Sequence, residues 1–213
     1  MIRVVNIGRR FRQEEAGAAI VELGLVLPVF LLLFFGLIDF GRLAFHIVTA
    51  EKAMYDAARI AAVRAAACPG VATRYVRPIL DPSVIPPRFG TSCSSGANVC
   101  WDPGDVTCAG DASNATAAEV WDRVALTLPT SATIADIRFT YSSDLNLGFL
   151  GGPYIPIVTV ELQNIDFEFI SPLGGLMALA SGSGDSSGWS ATIPFPAMST
   201  SIPGEDLAIG TAG

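Results

Sequence analysis

The twenty-one residues from Ala18 to Ile38 carry one charge, Glu22, and Asp39 closes the run. It is the chain's one apolar run long enough to span a bilayer, so a channel or a transporter is excluded. The run must be a helix, because only helices and closed barrels satisfy their backbone in lipid. Glu22 is then the anomaly. A carboxylate one turn inside a membrane helix is costly and ordinarily has a partner. The partner that fits is a free α-amino group, made by cutting the chain after Gly17.

Charge sets the orientation. Arg3, Arg9, Arg10 and Arg12 precede the run, and positive charge stays on the cytoplasmic side. The rest of the chain then lies outside the cytoplasm. The net charge is −7, and loss of residues 1–17, with four Arg and two Glu, would make it −9. From Phe89 onward only Arg123 and Arg138 face thirteen acids, a poor balance for binding nucleic acid. Cys68, Cys93, Cys100 and Cys108 all follow the run, as expected in an oxidising compartment. They allow two disulfides with three connectivities. Their spacings contain no Cys-x-x-Cys pair and the chain has one His, so zinc is disfavoured. A secretory signal peptide would need a small-x-small site just after the apolar core. Asp39-Phe40-Gly41-Arg42-Leu43 supplies none, and Val48-Thr49-Ala50 lies too far along, so the anchor is expected to be retained.

The organisation follows in five parts: a basic leader at 1–17, a transmembrane helix at 18–39, an extracytoplasmic amphipathic helix at 40–68, a Cys-containing loop region at 69–118 and a β-rich head at 119–213. The helix is expected to run from Ala18 to about Ala67, where Cys68-Pro69-Gly70 stops it. Such a helix would be about 75 Å long, well beyond the bilayer. Pro28 removes a backbone donor within the span and is expected to bend it. Phe40, Leu43, Ile47, Ala50, Met54, Ala57 and Ala61 form one stripe at 3-4 spacing. Over Ala50–Ala61 the expected partner is the chain's own sheet; over Ala18–Phe40 it is a neighbouring subunit's helix. Residues 69–118 are rich in Pro, Gly, Ser and Asp, so little regular structure is expected there, in a loop with little core of its own. Asp102, Asp105 and Asp111 read as solvated turn residues in preference to calcium ligands, and Asn114-Ala115-Thr116 is a formal glycosylation sequon. Strands are expected at Val124–Leu128, Ile134–Tyr141, Ile157–Ile170 and Trp189–Met198. Within Ile157–Ile170 the alternation slips at Asn164-Ile165, which implies a bulge or a turn. Pro194 and Pro196 confine the last strand to an edge. The fold class is α+β, a long N-terminal helix packed on a small antiparallel head.

Gly17-Ala18-Ala19-Ile20-Val21-Glu22-Leu23, Val26-Leu27-Pro28-Val29-Phe30, Asp39-Phe40-Gly41-Arg42 and Ala57-Ala58-Arg59-Ile60-Ala61-Ala62-Val63-Arg64 resemble the TadE-like family, minor pseudopilins of the tight-adherence (Flp) pilus. The resemblance is specific over residues 14–68, and Leu23 stands where the family usually has an aromatic. It implies a pilin-like fold and cleavage by a prepilin peptidase between Gly17 and Ala18, leaving Glu22 fifth in the mature chain. Glu22 would then pair with the new ammonium group of an adjacent subunit. The implied partners are the inner membrane, the peptidase, other pilins or pseudopilins and the assembly platform. The implied location is a single pass in the inner membrane, with the head periplasmic and pilus-associated.

No catalytic constellation stands out. His46 is the only His, and Gly-x-Ser-x-Gly, His-Glu-x-x-His and phosphate-loop motifs are lacking, so neither an enzyme nor a cofactor is expected. Two other readings compete with the pseudopilin. One is an uncleaved, signal-anchored periplasmic protein whose head binds a ligand or partner; the other is a membrane-tethered enzyme.

Overall fold

A computed structural model describes residues 15–170, 192–205 and 207, with side chains from Ala19 onward. The leader's arginines, the Ser171–Leu176 break and Trp189–Ala191 of the expected last strand lie outside the described residues. Two compact units divide the chain. One combines residues 1–44 with 168–192, and the other combines 45–167 with 193–213.

Helix α1 spans Glu15–Val63 and continues through Pro28. The expected start was Ala18, and the Gly17–Ala18 bond lies within the helix. It also stops short of the expected Ala67, because tertiary partners capture the chain beyond Val63. The Arg64 amide makes a helical bond to the Ile60 carbonyl at 3.1 Å. The Thr116 hydroxyl and the Asn114 side-chain amide then donate to the Ala65 and Ala66 carbonyls at 2.7 and 3.3 Å. The Ala67 amide donates to the Tyr141 phenol oxygen at 2.8 Å, and Cys68 is bonded to Cys108. The bonds to the Ala65 and Ala66 carbonyls satisfy backbone acceptors just past the helix end.

The larger unit carries a four-stranded antiparallel sheet in the order β1-β2-β3-β6. Its strands are β1 (Val106–Ala109), β2 (Ile137–Ser142), β3 (Ile157–Leu162) and β6 (Met198–Pro203). Ile137, Phe139 and Tyr141 of β2 pair with Leu162, Val160 and Val158 of β3, and all six are buried. The opposite face is polar. Thr107 meets Thr140 at 3.1 Å, Thr159 meets Ser201 at 2.7 Å, and Arg138 stands in register with Glu161. Ala50, Met54, Ala57 and Ala61 of α1 are fully buried, joined by Ala53, Ala58 and Ala62. The buried face is the alanine-rich part of the expected stripe. The contact is pinned at both ends: the Thr49 hydroxyl lies 3.1 Å from the Thr127 carbonyl, and the Glu205 amide donates to the Ala62 carbonyl at 2.9 Å.

Three sequence expectations need correction. Val124–Leu128 is not a strand. Helix α2 (Ala115–Val124) runs into a 3-10 turn over Ala125–Thr127. Asn114 starts α2 by accepting the Thr116 and Ala117 amides, and Ala117, Val120 and Val124 are its buried, helix-spaced face. In the expected Ile134–Tyr141 strand, Ile134–Asp136 is a 3-10 turn closed by a reciprocal Thr133–Asp136 cap. Finally, the Cys-containing region, expected to have little core of its own, contributes β1, and its Tyr75, Cys93, Val99 and Cys100 bury together with Leu150 and Tyr154 from beyond it. That second core forms because the Tyr75 amide donates to Gly152 while Gly151 and Gly90 donate to Tyr75 and Leu150, folding two loops into a ladder. Gly148 sits where any Cβ would overlap the Tyr75 ring.

The slip at Asn164 is a turn. Asn164 adopts φ 58°, and the chain leaves β3 for β4 (Asp166–Glu168), which pairs with β5 (Thr192–Pro194) in a separate two-stranded sheet. The expected Trp189–Met198 strand is divided between β5 and β6, and β6 does occupy an edge of the larger sheet.

Candidate functional site: the apolar half of helix α1

Glu22 lies one turn after Ala18 and is exposed, as are residues 19–31 of α1. Ile20, Leu23, Leu25 and Val29 are each at least 60% exposed. Soluble monomers rarely expose so continuous an apolar surface, which marks a site of contact with protein or membrane. The helix is long and apolar enough to cross a membrane. From Ala18 to Ile38 the rise is about 32 Å, close to the ~30 Å of a hydrocarbon core.

The span has its own internal features. Pro28 has no amide to donate to the Gly24 carbonyl four residues back. A Cβ at Gly24 would meet nothing within 4 Å, so this side of the helix is open to a neighbour. Phe30 stacks on Phe34 with ring centroids 6.1 Å apart, and Phe34 meets Phe35 at 5.8 Å. Asp39, at the end of the run, is almost completely buried; its carboxylate receives Arg42 Nη1 at 3.2 Å. His46 lies between the Phe45 and Phe167 rings, with centroids 5.9 and 6.0 Å away. That is a packing position.

Gly17 and Ala18 are helical, and their side chains lie outside the description.

Residues 17–59 match the model of the TadE-like protein family. No curated protein and no solved structure matches the chain. The TadE-like segment contains Glu22, the whole apolar run and the first part of the buried alanine stripe. It stops before Cys68, so the sheet and both disulfides lie beyond it.

The four cysteines form Cys68–Cys108 and Cys93–Cys100, which resolves the three connectivities left open above. Asp102 and Asp111 each accept a backbone amide two residues on, from Gly104 at 2.9 Å and Ser113 at 2.8 Å, which is the geometry of turn residues. Sequence reasoning named Asp39 only as the close of the apolar run and gave Glu119 no role. Arg64 holds Glu119 through two bonds of 2.9 and 3.1 Å, which keeps the Glu119 carboxyl below its ordinary range. Asn114 was read as a sequon. The available signal was its place before Ala117, Val120 and Val124, the spacing of a capped helix.

Proposed function

We propose that this chain is a bitopic minor pseudopilin that serves the biogenesis of a tight-adherence pilus and has no catalytic role. The observation that carries the reading is the TadE-like match beginning at Gly17, which puts Glu22 fifth after the expected cut. In this reading the apolar segment inserts with its N-terminus in the cytoplasm. A prepilin peptidase hydrolyses the Gly17–Ala18 bond, and the ammonium left on Ala18 approaches Glu22 of an adjacent subunit. The pair neutralises in a low-dielectric medium, where a lone carboxylate would be destabilising. The exposed face of residues 20–38 then packs against other pilins or pseudopilins, while the disulfide-bonded head stays on the extracytoplasmic side.

The test is the intact mass of the membrane-extracted protein, produced with and without its prepilin peptidase. The expected result is loss of the mass of residues 1–17 only when the peptidase is present. A full-length mass in both preparations would sink the pseudopilin reading and favour an uncut anchor whose head binds a ligand or partner.

A further inference from the structure

The second core carries an open groove on its surface. Arg74, Arg77, Phe89 and Phe149 line it, together with Gly90 and Gly151, and its volume is about 570 Å3. Phe89 is 71% exposed and Phe149 48%, too much for rings that only complete a core. The groove is braced from within the chain. Arg77 Nε and Nη2 both donate to the Pro87 carbonyl, at 3.1 and 2.8 Å. The same guanidinium lies 4.3 Å from the centre of the Phe89 ring. That ring also sits against Gly151, where a Cβ would overlap it.

An acidic segment with its own exposed ring borders the groove. The Trp101 amide donates to the carbonyl of Val76, a groove residue, at 2.8 Å. The Cys93–Cys100 bond ends immediately before Trp101 and fixes where the segment starts. Trp101 is 49% exposed, and Asp102 and Asp105 are exposed after it. None of Arg74, Arg77, Asp102 and Asp105 forms an ion pair among the described residues. Cations and anions therefore stand unpaired on adjacent segments of one surface, around three exposed rings.

A patch with opposite charges side by side is complementary to itself under a two-fold rotation, which sets the cationic half of one copy on the anionic half of the other. We infer that this surface pairs two copies of the chain, the groove of each receiving the Trp101–Asp105 segment of the other. The rings supply the apolar anchors and the charges set the orientation. Both halves are braced before they meet, so little ordering opposes the contact. Arg77 is already engaged by Pro87, and Asp102 by the Gly104 amide at 2.9 Å. Arg74 and Asp105 are the charges left to meet across the two-fold. The contact lies on the head and does not depend on the peptidase cut.

The test is sedimentation equilibrium of the full chain in a density-matched detergent, for the wild type, Arg74→Glu, Asp105→Arg and the variant carrying both changes. Arg74 and Asp105 are exposed, so neither change disturbs a core. The wild type is expected to form a dimer. Either single reversal sets like charges opposite each other and should raise the dimer dissociation constant about tenfold or more. The double variant restores opposite charges and should return the constant to the wild-type range. A dimer that neither single reversal weakens would place the contact elsewhere, such as the apolar helix, and overturn the inference. Weakening by the single changes without recovery in the double variant would overturn it as well. A wild-type monomer at every concentration would overturn it and leave the groove to an acidic segment of a different protein.

Discussion

At the scale of single residues, Glu22 and Asp39 are two carboxylates at opposite ends of one apolar run, and they are handled differently. Asp39 is buried against Arg42 and the Ile170 amide, so its charge is satisfied within the chain. Glu22 is exposed on a helix surface built of Ile, Val and Leu, and the proposed function gives it the ammonium group of an adjacent subunit. Glu22→Ala is accordingly expected to leave membrane insertion intact and to impair pilus assembly. Membrane fractionation together with counts of assembled pili checks this, and normal piliation would refute the pairing. Both acids were visible in the sequence, Glu22 as the one charge within the run and Asp39 as its close. Only Glu22 could be read as functional there, because one of the two groups that hold Asp39, the Ile170 amide, comes from 131 residues away.

At the scale of elements, the two disulfides differ in what they close. Cys68–Cys108 closes a loop of sequence separation 40, and Cys93–Cys100 one of 7. On a chain-entropy account the longer ring contributes about 4 kcal/mol and the shorter about 2.5 kcal/mol. Urea unfolding of the Cys68→Ala/Cys108→Ala variant should therefore show the larger loss, and the reverse order would contradict the account. Helix α1 and the Ile157–Leu162 strand were legible because each has a clear period, 3-4 for the alanine stripe and 2 for Val158, Val160 and Leu162. The slip at Asn164 was legible for the same reason. Helix α2 was not, because Val124-Ala125-Leu126-Thr127-Leu128 alternates like a strand while the cap at Asn114 and the ties to Ala65 and Ala66 decide for a helix. Strand β1 hid behind Asp-Pro-Gly-Asp turn chemistry; it pairs with β2 through Cys108 opposite Phe139, a long-range match no local pattern reveals.

At the scale of the whole molecule, stability should fall in alkali. Tyr75, Tyr141 and Tyr154 all have phenol pKa values raised above the ordinary 10.0, chiefly because burial disfavours the phenolate. Below the unfolded value both states keep their protons and the contribution is complete. As pH climbs past about 10 the unfolded chain releases protons first, so stability declines and is lost as the raised folded values are passed. Urea midpoints at pH 8 and at pH values on either side of 10 measure this. A flat profile across that window would be inconsistent with three buried phenols. Two of these tyrosines build the second core and the third caps the chain just past α1, so the decline should report both cores together.

The Cys68–Cys108 bond also sets the path that mechanical force takes. It joins the chain five residues past the end of α1 directly to β1. A pull on α1 has a covalent route to the sheet through that link, one that bypasses residues 69–107. Reduction would place the intervening segment in series, adding about 130–140 Å of extensible chain for the separation of 40. Oxidised, the protein is a short tether.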